Sequence, residues 1–491
     1  MRRANMFWAG ATLVTAMILA GMIWVLEGDR ASVETRVLAT PAGDVILSSV
    51  EDMPDMPVVV IAHGFAGSVQ MMQTITRDLA RQGYLVASFD YIGHGRHKGL
   101  LSPQVTEIEG TTRQLISQTQ GVVDAVLAEH GEAQSLSLLG HSMATDIMIR
   151  AASARDDVDA VVAISMYSEA VTSDFPQRLL VLSGEWEDRL RVVGLEVARM
   201  IDPTAQEGQT VTNGNITRRA AFVAGTEHVA VLYSETTLAE IRAWLGQVSG
   251  LAPESAPRFM GLLMAAMLGM IVVLNGVSQR AFGPALVTQG AALGGKAFLL
   301  ATLLPAAAGV ALSFLAGPAL GVAGFGALGL FLLGWGGVAL ACLWRAGRRP
   351  AGVDLRGFLT LGVFGFLFAI ALDRYGAAFL PTGQRVSMLG VLLPGALCFI
   401  LADRLLLASA PIWQRIVARL VPVAALLCLM FLRPDVFGLL FTVLPVLCLF
   451  YLVYGTMAHF VAVRYGPTTA GLGAGVWLAW ALAASTPLFA V

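Results

Sequence analysis

The chain has 491 residues, of which 56% are hydrophobic and only 13% charged, with a mean hydropathy of +0.70. A soluble domain carries about 25% charged residues, so a wholly soluble protein is excluded. The formal charge of −2 hides a split, with residues 1–257 at a net −12 and residues 258–491 at a net +10. One water-facing acidic part followed by an apolar part with scattered arginine fits these numbers better than three ordinary soluble domains. Cys342, Cys398, Cys428 and Cys448 all stand in apolar runs. The acidic part has no cysteine, which excludes a disulfide framework or a cysteine zinc site there.

In chain order, residues 6–26 come first, an apolar run without charge that follows Arg2 and Arg3. About 20 apolar residues cross a hydrocarbon core of ~30 Å, whereas a cleaved signal peptide has an apolar stretch of roughly 7–15 and a small-residue cleavage site. The run is therefore read as an uncleaved anchor. Glu34–Thr40 and Asp44–Val50 flank Pro41-Ala42-Gly43 and predict a hairpin. After it, short β-branched runs alternate with amphipathic stretches, the pattern of a mostly parallel sheet with helices on both faces. Strands are expected at 57–62, 84–90, 135–139, 159–165, 178–183 and 219–224, and helices at 69–82, 110–130, 143–154, 189–202 and 235–248.

Chemistry-bearing residues sit at the ends of these strands. Leu136–Leu139 runs into Gly140-His141-Ser142-Met143-Ala144, a strand, a G-x-S-x-A string and then a helix. Small residues on either side of a serine permit the sharp turn that lifts its Oγ off the sheet edge. Strand Val58–Ala62 ends in His63-Gly64-Phe65-Ala66-Gly67-Ser68, and Phe89-Asp90-Tyr91-Ile92-Gly93-His94-Gly95 follows the next strand. Together with the hairpin and the alternation, these strings resemble an α/β-hydrolase of the serine hydrolase type over about 210 residues. The fold class expected is α/β, an α/β-hydrolase domain between an N-terminal membrane anchor and an all-α bundle of about eight transmembrane helices. Ala144 stands where the family usually has glycine, a departure several members tolerate.

The resemblance implies a division of labour. Ser142 is the nucleophile, and the backbone N–H groups of Phe65 and Met143 are the oxyanion-hole donors. The family order is serine, acid, histidine, and His228 is the one histidine between Ser142 and the second apolar span, so it is the expected base. The acid is expected in Gly184-Glu185-Trp186-Glu187-Asp188, where the family's G-x-x-[DE] spacing selects Glu187 with Asp188 as runner-up. Glu185 is read as solvated, His130 as a surface residue, and His94, His97 and His141 as packing or solvated residues. No metal or cofactor is needed for this chemistry.

After residue 257 eight further spans are expected, at roughly 259–277, 297–316, 320–344, 357–373, 386–403, 415–432, 436–456 and 468–489, with 281–295 apolar enough to be re-entrant. If the N-terminus is cytoplasmic, one set of short loops holds twelve Lys and Arg residues and the opposite set four. Positive residues stay inside, which places residues 30–255 and the C-terminus outside the inner membrane. The expected organisation is an anchor at 1–29, the hydrolase domain at 30–255 and a polytopic helical domain at 256–491.

The connection Met166–Gln177 is too short for the cap domain that the fold usually inserts there. The expected function is thus an extracytoplasmic, membrane-anchored serine hydrolase that cleaves or transfers acyl groups of lipid-like esters or thioesters, its site covered by the membrane bundle or the bilayer. Its expected partner is an acyl lipid or other hydrophobic ester, and nothing points to nucleic acid. Met71, Met72, Met143, Met166 and Tyr167 line an acyl pocket or belong to the core; both readings stand. Asp373-Arg374 and Asp403-Arg404 are read as pairs near span ends, and Arg385 as a headgroup holder or an interfacial anchor. The Gly-rich run Gly321–Gly337 is expected to permit close helix packing. The alternative function is a transporter or membrane scaffold whose hydrolase-like domain only binds.

Overall fold

The computed structural model describes residues 2–51, 55–104, 107–131, 133–253, 259–281 and 292–491. It divides into two compact units, one of Met22–Ala266 with Arg374–Ala378, the other of Met1–Gly21, Met267–Asp373 and Phe379–Val491.

The first unit is built on a nine-stranded sheet in the order β1-β2-β4-β3-β5-β6-β7-β9-β8. Its strands are β1 Glu34–Thr40, β2 Gly43–Ser49, β3 Val58–Ala62, β4 Leu85–Phe89, β5 Leu136–His141, β6 Ala160–Ile164, β7 Arg178–Gly184, β8 Thr210–Asn213 and β9 Ile216–Val223. The helices α2 Val69–Arg81, α3 Arg113–His130, α4 Met143–Ser153, α5 Asp188–Arg199 and α6 Glu235–Ser249 connect them, after α1 Arg2–Ala31. β4, β3, β5, β6, β7 and β9 run parallel, while β1 and β2 enter as an antiparallel hairpin.

Because both faces of the central strands are covered, β3 reads Val-Val-Val-Ile-Ala and is buried throughout. Side chains alternate in direction, so Val59 and Ile61 join Val86, Leu139, Val162 and Leu180 in one core. That core is closed by Ile75 and Leu79 of α2 and by Leu238, Ile241 and Trp244 of α6. α4 packs on β5 and β6, and α5 on β7 and β9. Each such side chain removed from water contributes about 1.5–3 kcal/mol, and these faces fix where the strand ends fall.

β8 is absent from the sequence expectation. It pairs antiparallel with β9 across the two-residue turn Gly214-Asn215, with Asn213 opposite Ile216 and Gly214 at φ 61. Gly-Asn between two threonine-bearing runs is a hairpin signal. The pairing also draws the start of β9 back to Ile216, ahead of the expected 219.

β6 and β7 are joined by residues 165–177 without a helix, so no cap domain is inserted there. Arg218 on β9, 1% exposed, pins this connection from below. Its guanidinium donates to the carbonyls of Thr172, Phe175 and, on α5, Val197.

The other unit is helical. Its long helices are α7 Met260–Ala281, α8 Gly295–Ser313, α9 Phe325–Arg345, α10 Leu355–Tyr375, α11 Gln384–Leu407 and α12 Ile412–Leu432; a short α13, Pro434–Phe437, precedes α14 Val443–Tyr465 and α15 Pro467–Ser485. Among the described residues eight helices, α1 included, are long and apolar enough to cross a membrane. The last span read from the sequence, 468–489, is α15, which begins Pro-Thr-Thr and is not one of the eight. The stretch 281–295 falls largely outside the described residues.

α11 packs against both α9 and α15. A Cβ on Gly336 would lie 2.3 Å from the Cys398 carbonyl carbon, and one on Gly475 would lie 2.8 Å from Leu397 Cα. Glycine is therefore what lets these backbones touch, as the Gly-rich sequence implies.

Two sequence expectations for this region change. Arg385 is buried, and its Nη1 donates to the carbonyls of Ala483, Ala484 and Thr486, which are the orphan acceptors at the end of α15. It is neither a headgroup holder nor an interfacial anchor. Asp373 Oδ1 accepts from the Phe379 and Leu380 N–H groups, and Arg374 pairs with Glu27.

Candidate active site

Three strand ends bring the chemistry together. β5 ends in a tight turn into α4, with Ser142 at the tip at φ 54, ψ −119. A non-glycine residue in that region carries backbone strain, and the neighbours hold it there. Ser142 N–H donates to Ile164 O at 2.8 Å, and Thr145 Oγ1 donates to Ser142 O at 2.7 Å. A Cβ on Gly140 would lie 2.6 Å from Ala144 O, which is why the residue two before the serine has no side chain.

Ser142 Oγ lies 2.9 Å from His228 Nε2, and His228 Nδ1 lies 2.5 Å from Glu187 Oε1. An ionised carboxylate can only accept, so the proton on the imidazole sits at Nδ1 and Nε2 is left to accept from the serine hydroxyl. The other oxygen of Glu187 accepts from Gly184 N–H at 2.6 Å and Ser165 Oγ at 2.7 Å. Burial alone would raise the pKa of Glu187, but the His228, Gly184 and Ser165 hydrogen bonds outweigh it and hold the carboxyl below its usual range. Glu187 is therefore ionised at neutral pH. Asp188, the runner-up, is exposed at the first position of α5.

Three residues to which the sequence reading gave no part in the site hold this arrangement in place. Glu185 is not simply solvated, since its Oε2 accepts from the Gly225 N–H at 2.7 Å and so fastens the loop that carries His228. Ser165, at φ 54 just after β6, is the hydroxyl donor to the acid. His141 does more than pack: its Nε2–H donates to the His228 carbonyl at 2.8 Å, with the two rings 4.9 Å apart. Burial, with His228 beside it, pushes His141 down to about 4, so it stays a neutral donor. Adjacency to the G-x-S string was the available cue for His141. For Ser165 and Glu185 none existed, because their partners are 22 and 40 residues away.

On the other side of the serine lies the turn after β3. A Cβ on Gly64 would sit 2.9 Å from Ser142 Cβ and 3.0 Å from His141 Nδ1, so that backbone approaches the serine as closely as glycine permits. His63 is fully buried. It donates from Nδ1 to Gly64 O at 2.8 Å and accepts the Tyr91 N–H at Nε2 at 3.1 Å, with desolvation favouring its neutral form. Asp90 accepts from the N–H groups of Val69 and Arg96 at 2.8 Å each, tying the two loops together. His94 packs its ring 5.3 Å from Phe65, and His97 accepts the Gly99 N–H at 2.9 Å. Phe65 follows Gly64 directly, and Met143 opens α4 one residue after Ser142.

Of the five residues considered for an acyl pocket, Met72 is in the sheet core and Met166 is fully buried. Met71 packs against the core, and Met143 is half-buried. Tyr167 is 51% exposed, and so are the neighbours of the acid and the histidine, Trp186 at 68% and Val229 at 40%. Exposed apolar side chains thus flank the acid and the histidine in sequence.

Residues 54–228 match the family described as serine aminopeptidase, S33. No curated protein matches the chain. Among solved structures, a Thermus thermophilus protein, TT1662, is 17% identical, with 44% of this chain and 98% of that chain covered at a TM-score of 0.32. A dienelactone hydrolase from Anabaena variabilis is 12% identical, covering 45% and 100% at 0.34. A Pyrobaculum calidifontis esterase is 14% identical, covering 49% and 94% at 0.33. With its parallel sheet, its serine turn and its match to a hydrolase family model over residues 54–228, the first part of the chain has an α/β-hydrolase fold, and the chain also carries a region of apolar, membrane-length helices.

Proposed function

We propose that the protein is a membrane-anchored serine hydrolase that cleaves acyl esters or thioesters of lipid-like molecules. The observation that carries the reading is the continuous hydrogen-bonded line from Ser142 Oγ through His228 to Glu187. Ser142 Oγ attacks the substrate carbonyl carbon while its proton passes to His228 Nε2. The oxyanion accepts hydrogen bonds from the Phe65 and Met143 N–H groups, and Glu187 stabilises the imidazolium without taking its proton. The imidazolium then protonates the leaving group, an acyl-enzyme remains, and water or another acceptor resolves it by the reverse sequence.

The substrate class rests on the short 165–177 connection and on the exposed apolar side chains Tyr167, Trp186 and Val229, which stand next in sequence to the residues of the site. Exposed large apolar side chains around a site are where a hydrocarbon chain gains most by leaving water. The proposed location follows from the arginine bias: N-terminus in the cytoplasm, hydrolase domain and C-terminus outside the inner membrane.

A fluorophosphonate probe applied to the purified full chain tests the chemistry. Labelling is expected in the wild type and absent in Ser142→Ala; labelling that persists in the variant, or never occurs, leaves the binding-scaffold alternative. A C-terminal reporter active in the cytoplasm would refute the topology.

A further inference from the structure

A second hollow in the molecule contains none of the residues of the site above. It lies within the helical unit, has a volume of about 910 Å³, and is lined by Arg348 and Arg349 after α9, Arg404 of α11, Arg415 and Arg419 of α12, and His459 of α14. No carboxylate is among its lining residues in the described part of the chain. Five guanidinium groups around one hollow repel one another, and the cost is greatest where they are withdrawn from water.

Arg404 is the most withdrawn, at 9% exposed. One of its Nη groups donates to Gly455 O at 3.0 Å, its Nε has no hydrogen-bond partner among the described residues, and the nearest acid, Asp403, is 3.9 Å away. Arg415 and Arg419 stand one turn apart on the same face of α12. Arg419 is braced over the Tyr451 ring at 4.5 Å, and its Nε is also without a partner. Buried donors left unpaired are costly, and an anion in the hollow would offset that cost.

We propose that this cavity is a binding site for a phosphate group carried on an organic body. A carboxylate brings two acceptor oxygens and one charge, whereas a phosphate presents up to three strong acceptors and nearly two charges, which matches several converging guanidinium forks. The volume is that of a site for a whole small molecule. The wall between the arginines, including Leu293, Leu405 and Val463, is apolar and suits the rest of the ligand. An anionic phospholipid and a soluble phosphate ester share this chemistry.

The test is the thermal unfolding of the purified full chain, titrated with dihexanoyl phosphatidylglycerol, glycerol 3-phosphate, hexanoate or dihexanoylglycerol. A saturable rise in midpoint is expected with at least one phosphate compound, weakening with salt. Response to phosphatidylglycerol alone identifies a lipid ligand; response to glycerol 3-phosphate identifies the soluble one. Arg404→Gln is expected to weaken binding about tenfold or more. Arg345→Gln, at the end of α9 and outside the lining, is expected to leave it within about twofold, as for an ordinary surface charge. If Arg404→Gln does not fold, the Arg415→Gln, Arg419→Gln double variant is expected to show the same loss. The proposal is overturned if neither phosphate binds saturably, if hexanoate or dihexanoylglycerol binds as tightly, or if Arg345→Gln weakens binding as much as the cavity variants. None of these readouts depends on Ser142.

Discussion

Glu187→Gln separates the chemistry of the acid from its packing. Glu187 Oε2 accepts two hydrogen bonds, from Gly184 N–H and Ser165 Oγ, while Oε1 faces His228 Nδ1. A glutamine keeps the first two bonds only if its carbonyl oxygen takes the Oε2 place, which turns its NH₂ toward Nδ1. The imidazole must then accept at Nδ1 and carry its proton at Nε2, where it cannot receive the proton of Ser142. The flipped amide would set NH₂ against the Gly184 N–H, and an unpaired buried donor costs about 1–3 kcal/mol. The geometry is thus preserved with the wrong tautomer. The expected loss is about 10³–10⁴ in kcat, or roughly 4–5.5 kcal/mol of transition-state stabilisation, with folding stability within about 1 kcal/mol of wild type. The assay is p-nitrophenyl butyrate hydrolysis by the full chain, together with the rate of fluorophosphonate labelling. Retention of a third or more of the wild-type rate, or an equal loss in Asp188→Asn, would refute the assignment.

Further tests address the support of the site. Gly64→Ala places a methyl 2.9 Å from Ser142 Cβ, and labelling of Ser142 is expected to slow by about two orders of magnitude, the size of effect that loss of one oxyanion donor produces. Glu185→Ala frees the Gly225 N–H and is expected to lower kcat by about tenfold, whereas Glu185→Gln, whose amide oxygen still accepts, retains most activity. His141 has a folded-state pKa of about 4 against an ordinary value of 6.5, so between those values the unfolded chain binds a proton that the folded one refuses. Its stabilising contribution is complete above about pH 6.5 and is lost as pH falls toward 4, a swing of roughly 3 kcal/mol. The drop in unfolding midpoint from pH 7 to pH 4.5 is accordingly expected to be smaller in His141→Gln than in wild type, and an unchanged drop counts against the argument.

Much of the hydrolase fold was legible in the chain because its signals are local. The β-branched run Val58–Ala62, buried on both faces, announces a central parallel strand. Gly140 and Ala144 announce a turn too tight for larger neighbours. β8 was missed although Gly214-Asn215 marked its turn, since a four-residue edge strand buries too little to show an apolar pattern.

The amino-acid order by itself determined the two-part architecture, the strand-and-helix alternation and the serine turn, because hydrophobic period, charge content and small-residue spacing act over a few neighbouring residues. Only tertiary structure decided that Glu187 rather than Asp188 meets the imidazole. It also decided that His141, Glu185 and Ser165 hold His228, its loop and Glu187, that Arg385 closes the end of α15, and that arginines from α9 to α12 surround one hollow. Those pairings join groups tens of residues apart, and their direction depends on how strands, turns and helices pack, which no local pattern encodes.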